Sequence, residues 1–186
     1  MAIKILANDG ISETGKVALE REGFEVITTK VAQNQLVDYI NKHSIDALIV
    51  RSATQVRKDI IDGCPTLKLI GRGGVGMDNI DVAYAKSKQL HVINTPASSA
   101  NSVAELVFAH LFTGVRYLHD ANRNMPLEGD QRFNELKKNY NNGAELRGKT
   151  LGIIGFGRSG QAVARIAIGL GMRVLAYDPN VQEAVI

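Results

Sequence analysis

The sequence has no tryptophan, a single cysteine, and no hydrophobic run of membrane-spanning length. The lone Cys64 excludes an internal disulfide and is typical of a protein from a reducing compartment. It lies in the loop-type segment 62–65, where a small structural residue is a better interpretation than a nucleophile. Met1 leads directly into an apolar strand, so no signal peptide is expected. These absences predict a cytoplasmic protein with no membrane partner.

Positive and negative charges are nearly balanced in the sequence. The chain of 186 residues carries 22 Lys and Arg against 19 Asp and Glu, a net charge of +3. The densest basic groups, Lys137-Lys138 and Arg147 with Lys149, are separated by polar or acidic residues. A nucleic-acid partner is therefore not expected, because such a surface needs a basic patch or stripe. Mild basicity is equally compatible with an anionic small molecule.

Neither a metal-ligand spacing nor a nucleophile elbow is present in the sequence, and no metal is expected.

Residues 1–100 alternate short apolar runs with helical segments. This alternation predicts an α/β domain with a flavodoxin-like parallel sheet. The predicted strands cover residues 4–7, 24–29, 46–50, 67–70 and 91–93, and the helices cover 12–22, 35–42, 56–62 and 81–88.

Residues 101–148 are predicted to form a long helix followed by a connecting segment. The apolar positions between Ser102 and Asn122 recur with helical spacing, and Ser102 to Glu105 match a capping box. The segment 123–148 is polar and rich in Asn, Gly and Lys, which favours a connection between domains.

Residues 149–186 contain a glycine motif in a strand–turn–helix–strand context. Gly155, Gly157 and Gly160 follow the apolar run 150–154, and a second apolar run ends at Asp178, 18 positions after Gly160. This arrangement predicts the first part of a Rossmann domain, whose turn holds a pyrophosphate and whose acid holds a ribose. A carboxylate repels a 2′-phosphate, so NAD is favoured over NADP. The alternative is a glycine-rich turn that binds nothing.

Four polar loops follow the predicted strands of the first domain. They are 8–10, 51–54, 71–78 and 94–96, and parallel strands bring such loops to one edge of the sheet. Arg51 is suited to an anionic substrate group, and residues 73–76 are suited to an anion-binding backbone nest. The alternatives are a surface arginine and an ordinary glycine turn. Four polar loops on one edge favour a substrate cleft.

The chain resembles the D-isomer-specific 2-hydroxyacid dehydrogenases. The resemblance lies in segments 51–54, 74–81, 94–96, 102–106, 146–150 and 155–178. It implies two domains with a cleft between them, NAD on the second domain, and a homodimer formed through the region of helix 102–122.

The resemblance also implies roles for individual residues. The substrate's anionic groups would be held by Arg51, Ser52, Gly74, Val75 and Gly76. The NAD cofactor would be held by Val75 near the nicotinamide, by the turn Gly155, Gly157 and Gly160, by the backbone N–H groups of Arg158 and Ser159, and by Asp178. Two positions depart from the family pattern: Ser159 stands where Ile is usual, and Ser99 stands where Asn is frequent.

The implied reaction is NAD-dependent oxidation of the 2-hydroxyl of D-3-phosphoglycerate to 3-phosphohydroxypyruvate, a step of serine biosynthesis. The family takes its catalytic Arg, Glu and His from a later part of the nucleotide domain, so no catalytic residue is expected within this chain. We therefore predict an N-terminal fragment that is inactive alone. The alternatives are a dehydrogenase of another D-2-hydroxy acid, such as glycerate or lactate, and a non-catalytic NAD-responsive protein similar to a corepressor.

Overall fold

The computed structural model describes residues 2–182, which divide after Ser98 into two compact units. We call residues 2–98 the first unit and residues 99–182 the second unit. Each unit is built on its own parallel sheet.

The first unit contains a five-stranded, fully parallel sheet in the order β2-β1-β3-β4-β5. This order is that of the flavodoxin-like fold, which confirms the predicted architecture. The strands are β1 (Lys4–Ala7), β2 (Glu25–Ile27), β3 (Ala47–Val50), β4 (Leu69–Arg72) and β5 (His91–Asn94).

Four helices connect these strands, together with a 3-10 turn at Gln33–Gln35. The helices are α1 (Glu13–Arg21), α2 (Leu36–His43), α3 (Lys58–Gly63) and α4 (Val82–Ser87). The Ser12 hydroxyl accepts a hydrogen bond from Gly15 N at 3.1 Å and so caps α1. The helix predicted from residue 56 begins two residues later, because Val56 instead forms a parallel bridge with Ile80.

The core of the first unit lies between the sheet and helices α2 to α4. The buried strand residues include Leu6, Leu48 and Ile70. They pack against buried helix residues, which include Leu36, Ile40 and Ile60. Because both faces of a parallel sheet are normally covered, the residues inside its strands are mostly apolar, and the polar ones lie at strand ends. That property made the strands recognisable in the sequence.

The second unit contains a two-stranded parallel sheet and three helices. In chain order these are α5 (Ala100–Val115), α6 (Leu118–Tyr140), β6 (Thr150–Ile154), α7 (Arg158–Gly169) and β7 (Arg173–Tyr177). The strand–helix–strand order confirms the predicted beginning of a Rossmann fold. Ala104 and Phe108 of α5 pack with Ala162, Val163 and Ala167 of α7 in a small core.

The prediction for the segment after residue 101 was wrong in two respects. The single helix 102–122 is two helices separated by Tyr117, which has a left-handed backbone (φ 54°). Much of the predicted connection is helical in α6, which is kinked at Arg132 (φ −121°, ψ 23°), and the Arg132 guanidinium pairs with Glu128 before the kink and with Glu135 after it. These ion pairs connect the two helical parts of α6, whose polar composition resembles that of a loop.

The predicted capping box was also wrong. Helix α5 begins at Ala100, so Ser102 lies inside its first turn, and Ser99 occupies the cap position without a side-chain hydrogen bond.

Candidate functional site

A cavity of about 670 Å³ lies over the face of the first-unit sheet that is opposite helices α2 to α4, and it reaches the carboxyl ends of the strands. All four loops predicted from the sequence contribute to its lining, through residues that include Asp9, Arg51, Gly73 and Asn94. Its apolar side is formed by sheet residues Ile49, Leu69, Gly71 and Ile93. The cavity therefore combines an apolar floor with polar and cationic groups at one edge, as small-molecule sites do.

A smaller polar cavity of about 300 Å³ lies in the same unit. Its lining is Ser52, Gln55, Arg57, Arg72, Asp78 and Asn79. Arg51 and Ser52, which are adjacent in sequence, thus line different cavities, and Arg72 lines both.

The glycine loop Gly73 to Gly76 lies beside the Arg51 loop. Gly73 N donates to Val50 O at 2.9 Å, and Thr95 N donates to Gly74 O at 3.1 Å. Val75 is half-exposed, and its carbonyl accepts from Asn94 Nδ2 at 2.7 Å. These bonds bring three of the predicted loops together at one edge. The contacts predicted for Gly74, Val75 and Gly76 with a ligand stay predictions.

Arg72 is a candidate anion-binding residue that the sequence analysis missed. Its Nε atom is buried and has no hydrogen-bond partner within residues 2–182. A Cβ added at Gly74 would collide with the Arg72 guanidinium, so Gly74 leaves room for this side chain. The signal available in the sequence was an arginine at the end of a strand, directly before two glycines.

The Arg51–Thr54 loop is held by the carboxylate of Asp9. Asp9 Oδ2 accepts from Arg51 N at 2.7 Å and from Thr54 N at 3.0 Å, and Oδ1 accepts from Thr54 Oγ1 at 2.7 Å. Burial by itself raises the pKa of Asp9, but these hydrogen bonds to the charged form leave the pKa below the ordinary aspartate value. Asp9 is therefore ionised at neutral pH.

The glycine turn of the second unit joins β6 to α7. Helix α7 begins at Arg158 after Gly157, and no side chain caps this end. A Cβ added at Gly160 would collide with the carbonyl oxygen of Gly155, whereas a Cβ at Gly157 would meet nothing within 4 Å. Gly160 thus allows helix and strand to pack closely, and the space beside Gly157 is open. An uncapped helix N-terminus beside open space suits a phosphate group.

Asp178 lies beside this turn, at the end of β7. Its Oδ2 accepts from Phe156 N at 2.7 Å, and its Oδ1 accepts from Asn180 N at 2.8 Å. The carboxylate therefore braces the glycine turn, a role that the sequence spacing did not reveal. Ribose binding by Asp178 stays a prediction.

Cys64 does not belong to either candidate site. Its side chain is 2% exposed, and burial raises the pKa of its thiol to about 11. The thiol is therefore protonated at neutral pH and unsuited to nucleophilic attack.

Within residues 2–182, no three His, Cys, Asp or Glu side chains are grouped so that they could hold a metal ion. The helices of the same residues include none with the length and apolar character needed to cross a membrane.

The chain belongs to the D-isomer specific 2-hydroxyacid dehydrogenase family, whose catalytic-domain model matches residues 5–184. This family uses NAD(H). The family match and the two units agree with the resemblance seen in the sequence motifs.

Three relatives illustrate the similarity. Hydroxypyruvate reductase of Thermotoga maritima is 41% identical over 97% of this chain and 56% of its own length. D-3-phosphoglycerate dehydrogenase of Methanocaldococcus jannaschii is 38% identical over 98% of this chain and 33% of its own length. The crystal structure of NAD+-bound 3-phosphoglycerate dehydrogenase of Entamoeba histolytica superposes with a TM-score of 0.74 at 30% identity, covering 98% of this chain and 56% of that chain. The chain thus spans between a third and about half of the length of these relatives.

Proposed function

We propose that this chain provides the substrate-anion site and the NAD pyrophosphate site of an NAD-dependent dehydrogenase of D-3-phosphoglycerate. The product would be 3-phosphohydroxypyruvate, and the reaction would serve serine biosynthesis. The observation that carries the proposal is the pair of arginines, Arg51 and Arg72, at the edge of the 670 Å³ cavity.

The two arginines match the charge of a phosphorylated hydroxy acid. D-3-phosphoglycerate carries a carboxylate and a phosphate, and a guanidinium binds either group through charge-assisted hydrogen bonds. Arg51 is exposed, and Arg72 has a buried Nε without a partner in the described part of the chain. We assign the remaining contacts to Ser52 and to the backbone of Gly74, Val75 and Gly76.

A second candidate substrate pair is hydroxypyruvate and D-glycerate. It is favoured by the 41% identity to a hydroxypyruvate reductase, which exceeds the identity to the phosphoglycerate dehydrogenase named above. These compounds lack the phosphate, so one of the two arginines would have no anionic partner. The charge at the cavity edge therefore favours the phosphorylated substrate.

The second unit would hold NAD through backbone groups. We assign the pyrophosphate to the N–H groups of Arg158 and Ser159, beside the open space at Gly157. The Asp178 carboxylate, at the end of the adjacent strand, would accept hydrogen bonds from the adenosine ribose. When bound, NAD supplies the acceptor for the hydride that leaves the substrate carbon.

The same oxidation needs a base for the hydroxyl proton. Asp9 lines the cavity, but its carboxylate already accepts three hydrogen bonds and its pKa is lowered. It is therefore a poor base at neutral pH. We assign the catalytic base to none of the described residues and expect the chain alone to bind ligands without turnover.

We also propose a cytoplasmic homodimer formed through α5 and α6. Large apolar side chains are exposed on these helices and the turn between them, and apolar patches of this kind often mark interfaces. They are Val103, Leu106, Val107, Phe112, Tyr117, Leu118, Leu127 and Phe133.

Calorimetric titration of the 186-residue chain tests these proposals. We expect NAD to bind more tightly than NADP. We expect D-3-phosphoglycerate to bind about ten- to a hundredfold more tightly than D-glycerate, since one charge-assisted contact is worth roughly 1.5–3 kcal/mol. Tighter binding of D-glycerate would transfer the function to the second candidate. Absence of any hydroxy-acid binding would refute the proposed site.

Light scattering on the same sample tests the proposed dimer. It should give twice the mass of one chain, and a monomer would refute the dimer.

A further inference from the structure

The buried polar residues of the described chain converge on one loop. Asn8, Thr54 and Asn79 are each no more than 6% exposed. Thr54 belongs to the Arg51–Thr54 loop, and the other two donate hydrogen bonds to it. Buried polar groups are costly unless they are paired, so this concentration indicates a segment whose conformation is strongly specified.

Both ends of the loop are held through their N–H groups and their carbonyl groups. The Asp9 carboxylate accepts from the N–H groups of Arg51 and Thr54, as described above. From another direction, Asn79 Nδ2 donates to Arg51 O at 2.9 Å and to Thr54 O at 2.6 Å. Four backbone groups of the loop are thus bonded to two side chains that are distant in sequence.

Asn8 fixes the Thr54 side chain in the same network. Its Nδ2 donates to Thr54 Oγ1 at 2.9 Å and to Val31 O at 3.1 Å, while its Oδ1 accepts from Val31 N at 2.8 Å. The Thr54 hydroxyl in turn donates to Asp9 Oδ1. Asn8 therefore links the loop to the segment that follows β2.

Unlike the loop backbone, which is held by hydrogen bonds, the side chains of Arg51 and Ser52 have no partners in the described part of the chain. The Arg51 guanidinium makes no ion pair or hydrogen bond with any residue between 2 and 182, and neither does the Ser52 hydroxyl. Both side chains are exposed. A fixed backbone that presents unengaged polar side chains is the arrangement of a pre-organised binding site, because little order has to be imposed when the ligand arrives.

We propose that Asp9 and Asn79 are positioning residues that hold the Arg51–Thr54 loop so that Arg51 and Ser52 meet the substrate anion. The inference rests on the proposed function, in which these two side chains contact a hydroxy acid. It adds that substrate affinity depends on two residues that act through the loop backbone. Removing the Asp9 charge separates this role from simple electrostatics. A nearby negative charge repels an anionic ligand, so its loss alone would strengthen binding, whereas loss of positioning weakens binding.

The variants for the test are Asp9→Asn and Asn79→Leu. The first keeps the shape of the side chain but removes the charge, which weakens the bonds that one oxygen accepts from the Arg51 and Thr54 N–H groups, and it turns an amide donor toward the Thr54 hydroxyl, which itself donates to Asp9. The second removes the donor that serves the carbonyls of Arg51 and Thr54, and it also removes Asn79 Oδ1, which has no partner in the described residues.

Matched controls come from the same unit. Asp46→Asn removes a carboxylate that accepts from Lys4 N at 3.0 Å and from Lys68 Nζ at 2.7 Å, before β3 and away from the loop. Asn41→Leu removes an amide that donates to Gly63 O at 2.7 Å.

Two measurements on the 186-residue chain decide the matter. Amide hydrogen exchange without ligand should be at least about tenfold faster at Arg51 and Thr54 in both variants, because the opening of a hydrogen-bonded segment controls its exchange. Exchange at Leu6 and Leu48 should stay at the wild-type rate, which shows that the unit is folded. The dissociation constant for D-3-phosphoglycerate should rise about tenfold in both variants and stay within about twofold in the controls.

Unchanged exchange at Arg51 and Thr54 overturns the proposal, and so does unchanged or tighter binding in folded variants. If Asp9→Asn unfolds the unit, Asn79→Leu gives the same two measurements. If the wild-type chain binds no hydroxy acid, the proposed function fails, while the exchange rates still decide whether Asp9 and Asn79 hold the loop.

Discussion

The two candidate anion sites of this chain have the same location in the fold but opposite construction. Both lie at the carboxyl ends of parallel strands, where α/β folds bind ligands. The first-unit site presents arginine side chains from a loop that buried polar groups hold in place. The second-unit site presents backbone N–H groups, and it exists because Gly157 and Gly160 carry no side chain.

This difference predicts opposite responses to mutation. A site made of side chains is lost when a side chain is removed, and the fold around it survives. A site made of backbone is lost when a side chain is added, and the fold is strained where the addition meets neighbouring backbone. Substitutions at Gly160, Arg51 and Asp178 test this contrast, in decreasing order of expected effect.

The largest effect is expected for Gly160→Ala. The added Cβ would collide with the carbonyl oxygen of Gly155, and backbone cannot rotate away as a flexible side chain can. Overpacking of this kind costs about 1–3 kcal/mol or more. We expect a lower melting temperature and loss of detectable NAD binding, measured by thermal denaturation and calorimetry.

The matched control is Gly169→Ala at the other end of the same helix. A Cβ there meets nothing within 4 Å, and alanine favours helix over glycine by about 1 kcal/mol. Gly169→Ala should therefore retain or increase stability and keep NAD binding. Equal destabilisation by the two variants would contradict the backbone account of the turn.

Arg51→Ala is expected to have an intermediate effect that is confined to binding. The Arg51 side chain makes no hydrogen bond with the described residues, so its removal should leave the melting temperature unchanged. Loss of one charge-assisted contact should weaken D-3-phosphoglycerate binding by about ten- to a hundredfold.

Arg21→Ala serves as the control for this variant, because it removes an equal charge from the exposed end of α1. If both variants weaken binding alike, the net charge of the unit would explain the result, and Arg51 would lose its assigned contact.

Features with a local cause were predictable from the sequence. The strands were found because buried parallel strands are continuous apolar runs, and the glycine turn was found because its spacing has steric causes. The helix boundaries after residue 101 were missed. The charge spacing of Glu128, Arg132 and Glu135 is a helix signal that was not used, whereas the left-handed backbone of Tyr117, between the two helices, has no distinct sequence signal.

The supports of the first-unit site were missed for a different reason. Asp9 bonds residues 42 and 45 positions away, and Asn79 bonds residues 28 and 25 positions away. Such side-chain to backbone bonds leave no periodic pattern, so they become visible only once the sheet brings the loops together. Arg72 was missed likewise, because its buried Nε is a consequence of packing.

The smallest effect is expected for Asp178→Asn, because this residue belongs partly to each kind of site. Its carboxylate braces the turn through Phe156 N, and an asparagine carbonyl can still accept that bond, while the bond from Asn180 N is lost. The turn should therefore survive, while NAD affinity falls about three- to tenfold through the loss of a charged ribose acceptor. The repulsion of a 2′-phosphate disappears with the charge, so calorimetry should show a reduced preference for NAD over NADP. An unchanged preference would mean that Asp178 only braces the turn, and the second site would then depend on backbone alone.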